Sequence, residues 1–172
     1  MSTRKGGGFY GYKIQAAVCT VTGLPLAWRV ETARHHESLF VAPLLDAVRG
    51  KGFAPVTCAL DKGYDSNRLH EECEARGVAP VIPIKGAKDT IIWPVTDTPT
   101  RHNPRIQRHT DEYKRLYRGR AAVEREFGRL KQHYGLVLRV RGLRKVQLHA
   151  DLVMLARLSQ ALSRANAVAQ SG

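Results

Sequence analysis

Two runs rich in apolar and β-branched residues, 12–21 (YKIQAAVCTV) and 24–32 (LPLAWRVET), meet at Thr22-Gly23 and predict an antiparallel hairpin. Ser38 then precedes Leu39, Phe40, Val41, Leu44, Leu45 and Val48 at helical spacing. The Gly50-Lys51-Gly52 stretch supplies the stop. A short apolar run at 56–60 (VTCAL) ends at Asp61, and Ser66 opens a polar helix (SNRLHEECEAR) closed by Gly77. Residues 78–84 (VAPVIPI) read as the next strand, with Pro80 and Pro83 favouring an edge position. Residues 85–109 carry Pro94, Pro99 and Pro104 with little periodicity and are expected to be a loop or linker. Two long helical segments, about 110–133 and about 143–166, complete the chain, and a tail at 167–172 is expected to fray. The pattern is α/β, in one domain spanning residues 1–172.

Composition narrows the partner. With 43% hydrophobic and 25% charged residues the chain is of the globular class. Lys and Arg number 28 against 15 Asp and Glu, a net charge of +13. Residues 1–100 hold 12 basic and 10 acidic side chains (+2), whereas residues 101–172 hold 16 and 5 (+11). Such a basic half calls for a polyanion, either nucleic acid or an anionic membrane surface. No apolar run approaches the roughly 18–20 residues that span a bilayer. The start MSTRKGGG leads into Phe9, Tyr10 and Gly11 rather than an apolar segment, so it does not read as a signal peptide and cytoplasm is the default expectation. Cys19, Cys58 and Cys73 are odd in number and lack C-x-x-C spacing, which favours reduced packing residues.

On one continuous helix over 110–133, with Tyr117 at zero, Arg120 falls near about −60°, Glu124 near −20° and Lys131 near −40°, sharing a face. Leu116, Val123, Phe127, Leu130 and Tyr134 form an apolar stripe beside them. A carboxylate flanked by cations and a tyrosine suits a phosphodiester, with Glu124 on a divalent cation and Arg120 and Lys131 on phosphate oxygens. A salt-bridged helix surface pairing Glu124 with Arg120 at i,i+4 fits the same spacing. Asp61, at the C-terminal end of an apolar strand in LDKGYDS, stands where open α/β sheets present ligands. A capping role at that turn, with Asp65 or Ser66 capping the following helix, is the alternative. His35, His36 and Glu37 are read as a polar helix entry rather than a metal cluster, because adjacent helix residues do not face one site.

The spacing Tyr117-x2-Arg120-x3-Glu124-x6-Lys131, the upstream LDKGYDS and the opening GYKIQAAV…TGLPLAWRVETARHHES together resemble the catalytic domain of bacterial insertion-sequence transposases of the DDE superfamily. The resemblance runs from about residue 8 to about residue 161. It implies an RNase H-like mixed sheet flanked by helices and an Asp, Asp, Glu triad holding Mg²⁺, with Mn²⁺ as substitute, for cutting and joining DNA at transposon ends. By that resemblance Asp61 is the second acid and Glu124 the third, while Tyr117, Arg120 and Lys131 contact DNA phosphates. Arg139, Arg141, Arg144 and Lys145 extend the DNA-binding surface expected from charge.

The first acid of the family belongs to a central strand before Gly11-Tyr12-Lys13, and this chain is expected to lack that strand, leaving the hairpin and the 56–60 strand with unpaired edges. Glu31, Glu37 and Asp46 are poor substitutes by position. Two acids hold a metal pair weakly, so a homo-oligomer or a partner chain that supplies the first Asp is expected. The alternative is a non-catalytic DNA-binding fragment that modulates the full-length enzyme.

Overall fold

The computed structural model describes residues 3, 4, 7, 8, 11–85, 101, 104–137 and 139–171. The chain divides into two compact units, one of Met1–His36 with Ala122–Gly172 and one of Glu37–Ala121.

In the first unit the predicted hairpin is present as β3 (Tyr12–Val18) and β4 (Pro25–Thr32), paired antiparallel from Tyr12 opposite Thr32 to Val18 opposite Pro25. Gly23 makes the reversal possible by taking φ +69°, a conformation that L side chains adopt rarely. Its N–H donates to the Cys19 carbonyl at 2.8 Å. Two shorter strands, β1 (Thr3–Arg4) and β2 (Gly7–Gly8), pair with each other. Helix α4 (Ala121–His133) and helix α5 (Leu143–Gln170) complete the unit. Ile14 stands opposite Val30 on the hairpin, and both pack against Val146 and Ala150 of α5. A second cluster joins Leu130 and Phe127 of α4 to Val153 and Met154 of α5, with Trp28 and Leu136. Polar ties fix the docking: Trp28 Nε1 donates to Asp151 Oδ1 at 2.7 Å, and the Val30 N–H donates to Gln147 Oε1 at 2.8 Å.

In the second unit β5 (Thr57–Ala59) and β6 (Ala79–Val81) pair in parallel, with Cys58 opposite Pro80. Between them run a 3₁₀ turn (Lys62–Tyr64) and helix α2 (Asn67–Glu74). Ser66 caps α2 by accepting from the Leu69 N–H, the side-chain cap expected from the sequence. A 3₁₀ turn (Glu37–Phe40) leads into helix α1 (Val41–Gly50). Helix α3 (Asp111–Arg118) is capped by Thr110 Oγ1, which accepts from the Tyr113 N–H at 3.2 Å. The core gathers Val41, Leu45, Leu69, Cys73, Val78 and Ile82. Burial pushes the Cys73 thiol up to about 12, so it stays protonated and packs as a small apolar group.

The α/β class is as expected. Among the described residues the sheets are two-stranded and β3–β4 shares no strand pairing with β5–β6. The continuous helix expected over 110–133 is instead α3 and α4, broken at Gly119-Arg120. The N–H groups of Gly119 and Arg120 donate to Leu116 and Tyr117, three residues back, at 3.0 and 3.1 Å. Tight turns thus replace helical bonds at a glycine, the poorest ordinary helix former after proline. Helix α5 continues to Gln170, beyond the expected end at Asn166. Of the expected loop at 85–109, residues 86–100, 102 and 103 lie outside the described residues.

Candidate active site

Asp61 follows β5 by two residues and takes the N-cap position of the 3₁₀ turn in an extended conformation, φ −66° and ψ 155°. Its side chain makes no capping hydrogen bond there. The carboxylate is more than half exposed and meets a cation: Arg120 Nη1 lies 3.1 Å from Asp61 Oδ1. Arg120 in turn stands over the Tyr117 ring, 5.7 Å from its centroid. Tyr117 stacks on Tyr113, with centroids 6.0 Å apart and planes 11° from parallel. Tyr113 is buried, and burial raises the pKa of its hydroxyl. Helix α3 and the turn that follows it therefore bring Tyr117 and Arg120 to the end of β5, where Asp61 emerges.

The Asp61 loop is fixed by a residue that sequence reasoning treated only as a possible cap. Asp65 has a fully buried carboxylate that accepts from the Lys85 N–H at 2.7 Å and from Arg101 Nε and Nη2 at 2.9 and 2.6 Å. Burial alone raises its pKa, but the Arg101 and Lys85 hydrogen bonds outweigh that and hold the carboxyl below its ordinary range. His70 Nε2 lies 3.3 Å from Asp65 Oδ1, and the imidazole is fully buried. Burial first, and the Arg108 charge next, depress its pKa and favour the neutral ring. Arg108 closes the cluster by donating to the Ile82 and Arg101 carbonyls at 3.1 and 2.7 Å. On the other side of the loop Tyr64 donates to Glu37 Oε2 at 3.1 Å. Burial, and then the Glu37 charge, push the Tyr64 hydroxyl up.

The remaining sequence candidates belong to the first unit. Glu124 is exposed in the first turn of α4 and Lys131 in its last, two turns apart on one face. Arg139, Arg141, Arg144 and Lys145 are all exposed around the start of α5. The helical phase that aligned all four signature residues on one rod holds only within each helix, because Gly119-Arg120 interrupts it. The sequence reading passed over Glu126, whose buried carboxylate takes Arg157 Nε at 2.7 Å and Arg129 Nη1 at 2.6 Å. Its position four residues before the core residue Leu130 was the available signal.

Asp61 and Glu124 offer hard oxygen donors of the kind that Mg²⁺ prefers. Among the described residues no group of three or more His, Cys, Asp or Glu forms a metal cluster. The donor chemistry of each carboxylate fits a divalent cation. Among the described residues no helix is long and apolar enough to cross a membrane.

A family model for the transposase DDE domain matches residues 1–159. No curated protein matches the chain, and no solved structure does.

Proposed function

The chain belongs to the transposase DDE-domain family, and from that membership in a family of DNA-transposing enzymes we propose that Asp61 and Glu124 are the second and third acids of its catalytic triad. The carrying observation is the meeting of Asp61 with Arg120, backed by Tyr117, at the open end of β5. Asp61 and Glu124 would hold Mg²⁺, or Mn²⁺ in its place. A cation held there would supply Lewis-acid stabilisation of the charge that develops in phosphoryl transfer.

The protein's own groups divide the remaining work. Arg120 neutralises Asp61 when DNA is absent; an incoming phosphate competes for the guanidinium and frees a carboxylate oxygen. Tyr117 holds the guanidinium plane, so that Arg120 is delivered to the phosphate in one orientation. Lys131 neutralises a further phosphate near the transposon end. Arg139, Arg141, Arg144 and Lys145, all exposed, track the DNA backbone. Water then attacks a phosphorus at the transposon end in line with its P–O3′ bond, which breaks to free a 3′-hydroxyl and leave a 5′-phosphate; that hydroxyl attacks a target phosphorus and displaces the target strand's 3′-oxygen. The chain acts as a homo-oligomer or with a partner chain, in the cytoplasm on nucleoid DNA.

The test is Mg²⁺- or Mn²⁺-dependent cleavage of terminal-repeat DNA by the full-length protein. Cleavage that disappears with EDTA is expected; no cleavage would remove the catalytic reading. A second reading, a DNA-binding fragment that modulates full-length transposase, is favoured by the +11 charge of residues 101–172. It predicts DNA binding by the chain as it stands that weakens steeply with salt.

A further inference from the structure

Helix α5 buries one face and leaves another uncovered. Val146, Ala150, Val153, Met154 and Arg157 are buried. On the opposite side Leu148, Leu152, Leu155 and Leu162 are 59%, 58%, 61% and 62% exposed. With about 100° per residue, these four leucines together with Ser159 and Asn166 fall within about 40° of one line. Their steps along the chain alternate four and three from Leu148 to Asn166. That narrow line differs from the broader stripe by which a helix docks on its own domain; it is the two-in-seven seam of a coiled coil.

We propose that this seam is the interface with a second copy of the chain, packed in parallel about a two-fold axis. Leu148, Leu155 and Leu162 occupy d positions, and Leu152, Ser159 and Asn166 occupy a positions. Leucine at d suits two strands, and one asparagine at an a position sets register. In a parallel pair Asn166 meets its own counterpart across the axis, so its amide is satisfied by the same residue. No charged residue lies in the seam between Leu148 and Asn166, and the flanking Ala156, Ser163 and Ala165 are small enough to let the helices close. The seam is about 27 Å long on helices about 10 Å across. Pairing two copies buries on the order of 1,200 Å² in all, the lower end of a stable interface. This surface gives the proposed oligomer its location and does not depend on catalysis.

Sedimentation equilibrium of the chain between about 5 and 100 μM tests it, alongside circular dichroism. The expected result is a mass near twice 19.2 kDa at the upper concentrations. Leu155→Lys should weaken dimerisation at least about 100-fold with unchanged helix content, and Leu162→Lys, nearer the helix end, should do the same if the first variant unfolds. Val168→Lys, on the opposite side of the helix, should leave the dimer intact. Asn166→Leu should tighten association about tenfold. A parent chain that stays monomeric throughout, or a dimer that survives both lysine variants, would overturn the proposal. Unchanged or weaker association of Asn166→Leu would overturn the parallel register.

Discussion

Arg120 Nη1 and Asp61 Oδ1 lie 3.1 Å apart, joining the turn after α3 to the end of β5. The pair is partly exposed on both sides, so its net stabilisation is expected to be below about 1 kcal/mol. Its consequence is electrostatic selectivity: the strand-end carboxylate carries a counter-cation that a phosphate can compete for. Arg120→Ala should therefore shift the urea midpoint little. It should lower affinity for duplex DNA and reduce the slope of log affinity against log salt by about 1. Unfolding titrations and fluorescence anisotropy at several salt concentrations check both parts. A large stability loss with unchanged salt slope would show that the pair is structural.

Asp65 carries more of the fold. Removing its buried carboxylate strands Arg101 and the Lys85 N–H, so Asp65→Ala should cost about 3–5 kcal/mol in urea unfolding. Arg101→Ala should be similarly harmful, and the double variant should cost less than the sum because the two share one interaction.

That cluster shows where sequence reading stops. The hairpin, the Ser66 cap and the unit from β5 through α2 to β6 were legible because each depends on neighbours a few residues apart. Asp65 draws its partners from Lys85 and Arg101, 20 and 36 residues away, and no local pattern marks such a pairing. The helix break at Gly119-Arg120 was hidden for another reason: the apolar stripe beyond it keeps helical spacing, and the cost of one glycine does not reveal whether the chain will turn there. The meeting of Asp61 with Arg120, 59 residues along the chain, is a pairing of the same non-local kind.

Stability should also depend on pH through His70. Its folded-state pKa is depressed by burial and by Arg108, so below the unfolded value of about 6.5 the unfolded chain binds the extra proton. Stability present above that pH is lost as pH falls toward the folded pKa. Asp65 acts in a lower window: its depressed pKa contributes stability above about 3.9 that is lost as pH falls through the folded value. Chemical unfolding from pH 7.5 to 4.5 should show a decline that His70→Gln flattens between about 6.5 and 5. An identical slope in that variant would contradict the assignment.

In the first unit Glu126 balances the buried Arg157 and the more exposed Arg129. Glu126→Ala leaves Arg157 buried without its carboxylate and should cost about 3–5 kcal/mol, whereas Glu126→Leu with Arg157→Met should recover most of that loss. Thermal melts of the three proteins decide. Failure of the double variant to recover would mean that the ion pair itself, rather than the stranded charge, holds α4 to α5.

The most direct measurement compares Asp61→Asn and Glu124→Gln in the full-length protein, scoring single-turnover cleavage and terminal-repeat binding on the same samples. Each variant is expected to cut at least about 1,000-fold more slowly, while binding DNA within about twofold of the parent. Cleavage that persists in either variant would contradict the assignment of that acid.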